Sequence, residues 1–143
     1  MMYVLDTNVV SELRKAGAGR ADLNVVAWAN KVPTGTLYIS AITLLELELG
    51  ILSLERRDPA QAAMLRVWMH GHVLPAFDGR VLQVDTAAAL QCAQLHIPNR
   101  RAERDAMIAA TALVHGMTVV TRNVADFAGT GVNLVNPWTH ESV

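Results

Sequence analysis

Asp6, Glu46, Asp105 and Asp126 are the residues of this sequence that could do chemistry together. Asp6 ends the short apolar run "MYVL". Glu46 sits in "AITLLELELGIL", where nearly every neighbour is apolar. Asp105 opens the segment "RDAMIAATALVH", and Asp126 closes "VVTRNVAD". Each has a plain structural reading. Asp6 suits a turn at a strand end, and Asp105 suits the positive end of a helix dipole. Asn123 and Asp126 stand at the spacing of a capping box. Glu46 is harder to explain that way. A carboxylate left unpaired in an apolar helix costs several kcal/mol, so it needs an arginine, a wet cleft or a cation.

Taken together, the acids raise a further question. Two unit charges about 4 Å apart repel by about 4 kcal/mol at an effective dielectric near 20. A cluster of such groups persists when a divalent cation neutralises it. The donors are hard oxygens, and no cysteine or histidine stands at ligand spacing, since His70 and His72 are not an i,i+4 pair. That donor set selects Mg²⁺ or Mn²⁺ over Zn²⁺. Magnesium polarises a phosphoryl oxygen and activates a bound water, so the cluster points to phosphodiester hydrolysis. Thr7, Asn8, Thr121 and Asn123 lie beside the same positions and could orient groups there, or serve as caps.

The elements that must position these acids can be read from the pattern. Short apolar strands are expected at 2–5, 36–40, 80–84, 117–121 and 132–135. Helices are expected at 9–16, 22–32, 41–57, 59–77, 85–97 and 103–115. Thr7 or Asn8 would cap the first helix and Ser40 the third, and Gly116 would end the last in a left-handed turn. Strands alternating with helices imply a parallel sheet covered on both faces, with ligands beyond the carboxyl ends of the strands. All four acids lie just past such ends or early in the helices that follow.

The 143 residues, 52% of them hydrophobic at a mean hydropathy of +0.25, suit one α/β domain over 1–143 with apolar material left for an interface. Leu44, Leu47, Ile51 and Leu54 are the candidate interface residues, with burial under helix 59–77 as the alternative. Glu48 shares a face with Glu55 and reads as a solvated or interface residue. Net charge is −1, so nucleic acid would be held by placed arginines rather than bulk charge; Lys15 and Lys31 are the sole lysines. The lone Cys92, the absence of a signal-peptide pattern and the absence of a membrane span lead us to expect a cytoplasmic protein.

The segments "YVLDTNVVSEL", "SAITLLELELGI", "RDAMIAATALVHGMTVVTRNVADF" and "GTGVNLVNPW" resemble the PIN-domain nucleases, in particular the VapC/FitB-type toxins of bacterial type II toxin–antitoxin pairs. The resemblance runs from residue 3 to about 138. It implies a three-layer α/β/α domain with a parallel sheet ordered 3-2-1-4-5, and Mg²⁺- or Mn²⁺-dependent cleavage of RNA. It implies that Asp6 and Asp105 bind metal directly, with Glu46 and Asp126 acting partly through water. It also implies a homodimer and a small DNA-binding antitoxin whose tail blocks the cleft. Arg100, Arg101 and Arg104 could grip RNA phosphate near the metal, anchor acidic antitoxin residues, or form a solvated basic loop. Other readings make different demands. A haloacid dehalogenase-type phosphatase needs a second aspartate where Asn8 stands. A receiver-like or PIN-like binding module would use the acidic site for regulation or assembly. A dinucleotide-binding domain would need a G-x-G-x-x-G after the first strand, which is not there.

Overall fold

A computed structural model describes residues 1–139. Five parallel strands form one sheet in the order β3-β2-β1-β4-β5. They are β1 (Tyr3–Leu5), β2 (Leu37–Ser40), β3 (Val81–Leu82), β4 (Thr118–Val120) and β5 (Leu134–Val135). The expected α/β architecture and strand order are both present. The two edge strands are only two residues long.

Strand side chains alternate between faces. Leu5, Ile39 and Val120 turn to one side, where they pack with Val9, Trp28, Leu47, Ile51 and Met69. Those partners come from α1 (Thr7–Arg14), α2 (Leu23–Lys31), α3 (Ala41–Glu55) and the segment after α4 (Pro59–Trp68). Val4 and Val119 turn to the other side and meet Ile108, Ala109 and Ala112 of α7 (Glu103–His115). The alanines of α7 work in two directions. Ala106 and Ala110 face Cys92 of α6 (Thr86–Leu95), so α7 lies between the sheet and α6. Small residues permit that double approach. Gly116 ends α7 at φ 65°, as expected.

The structure departs from the sequence reading in four places. First, 59–77 is not one helix. After α4 the chain takes a π turn over Met69–Val73, then the short α5 (Leu74–Ala76). Pro75 has no N–H for the carbonyl four residues earlier and its ring crowds that carbonyl, which explains the interruption. Second, the cap of α1 is Asp6, not Thr7 or Asn8. Third, the exposed apolar row of α3 is Leu45, Leu49 and Leu52, at 49, 46 and 47% exposure. Leu47 and Ile51 are buried, and Leu44 and Leu54 pack against the same core. A helix apolar all round carries no stripe by which sequence could pick its faces. Fourth, Glu48 is committed: Arg66 of α4 binds it at 2.9 Å and binds Glu55 at 2.8 Å, tying α3 to α4.

Among the described residues no helix is long and apolar enough to cross a membrane. Ile108 is wholly buried between the sheet and α7's neighbours. Ile108→Ala should cost about 2–5 kcal/mol by urea unfolding, whereas Leu45→Ala should stay within about 0.5 kcal/mol.

Candidate active site

The site is built where the sheet changes direction. Chain order runs outward from β1 to β2 and β3, then returns to β4 on the other side. Such a switch point opens a crevice at the carboxyl ends of the central strands. Leu5 pairs with Val120, so Asp6 and Thr121 leave the sheet side by side. The Asp6 amide donates to the Val120 carbonyl at 2.9 Å.

Asp6 is 6% exposed. Its carboxylate is held by two strong donors, the Thr7 amide at 2.8 Å and the Thr121 hydroxyl at 2.7 Å. The Asn8 amide group lies 3.4 Å from the same carboxylate. Thr121 is fully buried, and its oxygen accepts from the Asn123 amide at 3.0 Å. Asn8 also accepts from the Arg122 amide at 3.3 Å. Thr7, Asn8, Thr121 and Asn123 therefore all belong to the lattice around Asp6, although Asn123 forms no side-chain cap for the turn after it.

Glu46 reaches the same place from the second turn of α3. The Thr7 hydroxyl donates to it at 2.7 Å and lies 3.2 Å from the hydroxyl of buried Thr43. Arg104 stands 3.6 Å from the other Glu46 oxygen. Asp105, in the first turn of α7, completes the wall. A cleft of about 280 Å³ is lined by Asp6, Glu46 and Asp105 with Thr7, Asn8, Ser11 and Asn123. Asp126 is exposed on the 3₁₀ turn Val124–Phe127, beside this cleft and close enough for its charge to act on Asp6 and Asp105.

The electrostatics follow from the crowding. Burial raises the Asp6 carboxyl above its ordinary value, the Thr121 and Thr7 donors pull it down, and Glu46 and Asp126 push it up. Asp105 is pushed up to about 6, by burial first and then by the charges of Asp6, Asp126 and Glu46, with Arg104 opposing. The cleft holds more negative charge than its one neighbouring guanidinium offsets. Among the described residues no three or more Asp, Glu, His or Cys side chains, as they are placed, could together hold a metal ion. An open set of oxygen donors fits an ion such as Mg²⁺, which keeps several waters and needs few carboxylates.

Two site residues were not singled out from sequence. Thr43 lies one turn before Glu46, and Ser11 one turn after Thr7, so helical spacing was the available signal. The arginines divide differently from the expectation. Arg101 is spent on structure: it donates to the Leu95 carbonyl at 3.0 Å and the Ala128 carbonyl at 2.8 Å. Arg100 is exposed and stands 3.6 Å from Glu103. Of the three, Arg104 borders the acids.

Residues 3–131 match the PIN domain. The chain is 40% identical over 142 residues to the VapC ribonuclease Y4jK of Sinorhizobium fredii, covering 96% of this chain and 98% of that one. It is 35% identical to toxin FitB of Neisseria gonorrhoeae, covering 96% and 99%. It superposes on a solved structure of FitAB bound to a DNA fragment with a TM-score of 0.85 at 36% identity, covering 99% of each chain. The chain belongs to the PIN-domain family. Within that family it belongs with the VapC and FitB proteins, the branch that the motifs around Asp6, Glu46 and Asp105 resemble.

Two predictions arise here. Thr121→Val removes the hydroxyl donor from a buried carboxylate and should lower stability by about 1.5–3 kcal/mol in chemical denaturation. The second concerns pH. Because the folded Asp105 carboxyl titrates near 6, above its unfolded value, its contribution to stability is full below the unfolded value and is lost as pH rises through about 6. In chelator, Asp105→Asn should therefore melt higher than the unaltered protein at pH 7.5, with the gap closing toward pH 4. A gap that does not change with pH would refute the assignment.

Proposed function

We propose that this chain is a divalent-metal-dependent endoribonuclease and the toxin of a toxin–antitoxin pair. The observation that carries the reading is the convergence of Asp6, Glu46 and Asp105 on one cleft, where burial first, and then the charges of Asp6, Asp126 and Glu46, lift Asp105 to about 6. The relatives support it by their names, a VapC ribonuclease and a FitB toxin.

In this reading Asp6 and Asp105 hold the cation, Mg²⁺ or Mn²⁺, and Glu46 and Asp126 hold its water shell. The bound ion would polarise the scissile phosphate and lower the pKa of an attacking water. The chain's own residues set the stage for that. The Thr121 hydroxyl and Thr7 amide fix the Asp6 carboxylate so that its remaining lone pairs face the cleft. Thr7 also fixes Glu46, so one residue orients two of the acids. Arg104 reaches past Glu46 at the rim, where it can meet a substrate phosphate. A partner of antitoxin type completes the proposal, motivated by the likeness to FitAB, solved bound to a DNA fragment, and the uncovered Leu45, Leu49 and Leu52 of α3 support self-association as a homodimer.

The test is cleavage of labelled RNA with Mg²⁺, with Mn²⁺ and with chelator. Cleavage should require the cation, and Asp6→Asn should reduce it on the order of 100-fold or more. Asparagine caps a helix about as well as aspartate, so the variant should remain folded. Undiminished cleavage by Asp6→Asn would place the chemistry elsewhere. No cleavage of any RNA, with a partner still bound, would make the site a binding module.

A further inference from the structure

The carboxylate cleft does not end at the acids. A second depression of about 250 Å³ shares Thr7, Ser11 and Glu46 with it and runs between α1, α3 and α4 to Arg14 and Trp68. A third, of about 430 Å³, continues past Arg14 and Trp68 to Arg20 and His72. The three form one furrow leading away from the reacting groups. Its cations are set apart from the others by where they stand, on the wall of the furrow. Arg66, Arg100 and Arg104 stand beside carboxylates, and Arg80 and Arg101 donate to main-chain carbonyls. Arg14, Arg20, Arg56, Arg57 and Arg122 are exposed and make no ion pair among the described residues, and of these five only Arg14 and Arg20 line the furrow.

Arg14 lies over the Trp68 ring at 5.9 Å from its centroid. That is the outer edge of a cation–π contact, so it holds the guanidinium near the ring without consuming its donors. Trp68 is half-buried, with its body in the core and part of its surface lining the furrow. A flat ring beside an uncommitted guanidinium is how single-stranded nucleic acid is held without sequence reading: bases stack, phosphates take the fork. In a chain of net charge −1, with an acidic cleft that repels polyanions, such placed groups decide where a strand can lie.

We infer that Arg14 and Trp68 form a substrate subsite, in which a base of single-stranded RNA stacks on Trp68 and the adjoining phosphate is bound by Arg14, with Arg20 extending the track. The inference rests on the ribonuclease reading for the identity of the strand. It assigns the furrow to substrate rather than to a protein on the ground of charge complementarity and continuity with the acidic cleft.

The experiment measures binding of a fluorescently labelled single-stranded RNA in chelator, by anisotropy across a salt series, in parallel with cleavage in Mg²⁺. Trp68→Leu should weaken binding roughly tenfold, and Trp68→Phe, which keeps a flat ring, should recover most of it. A loss common to Leu and Phe would indicate core damage and would overturn the stacking role. Arg14→Ala should weaken binding and reduce the slope of log affinity against log salt by roughly one phosphate contact. In cleavage both Trp68→Leu and Arg14→Ala should raise KM far more than they lower kcat. Unchanged RNA affinity and KM in both variants would overturn the inference, whether or not they lose a bound protein partner. If the unaltered protein binds RNA through Arg14 and Trp68 yet cleaves none, the subsite stands and the nuclease reading fails.

Discussion

Everything at the site depends on keeping a nearly buried carboxylate charged beside others of its kind. Asp6 meets that constraint with main-chain and hydroxyl donors and no cation of the protein's own. A hydrogen bond to a charged group is worth about 1.5–3 kcal/mol, enough to hold the geometry but not to cancel several like charges. Asp105 carries the strain too: burial first, and then the charges of Asp6, Asp126 and Glu46, push its carboxyl up to about 6. An arginine placed deep in the cleft would remove that tension and with it the demand for an external ion. Among the described residues the guanidinium paired with one of these acids is that of Arg104, which stays at the rim, on Glu46.

The arrangement follows from topology more than from the acids themselves. Asp6 and Thr121 touch because β1 and β4 are neighbours with Leu5 opposite Val120. Glu46 arrives because β2 flanks β1 on the other side and Ser40 starts α3 immediately, its hydroxyl capping the Ile42 amide at 3.0 Å. Arg66, bound to Glu48 and Glu55, then fixes α4 against α3. That contact sets the width of the furrow running out from Glu46. The catalytic proposal and the substrate track thus draw on the same two helices.

Much of this was legible in the sequence. Short apolar strands, each ending at a polar residue, gave the layers. The order of acids after strands 2–5, 36–40 and 117–121 indicated where to look. What could not be read were choices decided in three dimensions. Asp6 caps α1 because its extended backbone places the carboxylate over the Thr7 amide, and Thr7 is released to serve Glu46. Arg101 looked like a phosphate ligand because sequence does not reveal that Leu95 and Ala128 present their carbonyls to it. On α3 sequence leaves Leu44, Leu47, Ile51 and Leu54 open between an interface and burial, because its leucines leave no polar stripe to orient it; the structure shows burial. Pro75 is the readable signal of the interruption, since a continuous helix over 59–77 does not tolerate a proline in its interior.

The brevity of β3 and β5 has a consequence for how this molecule meets others. An exposed strand edge is a template for uncontrolled pairing between chains, and each rim here offers just two residues of it. Sheet extension across molecules is therefore closed off, and recognition falls to helical surfaces. On α3 that surface already carries uncovered Leu45, Leu49 and Leu52, so a neighbour would add helix to helix and leave the strand ladder complete within one chain.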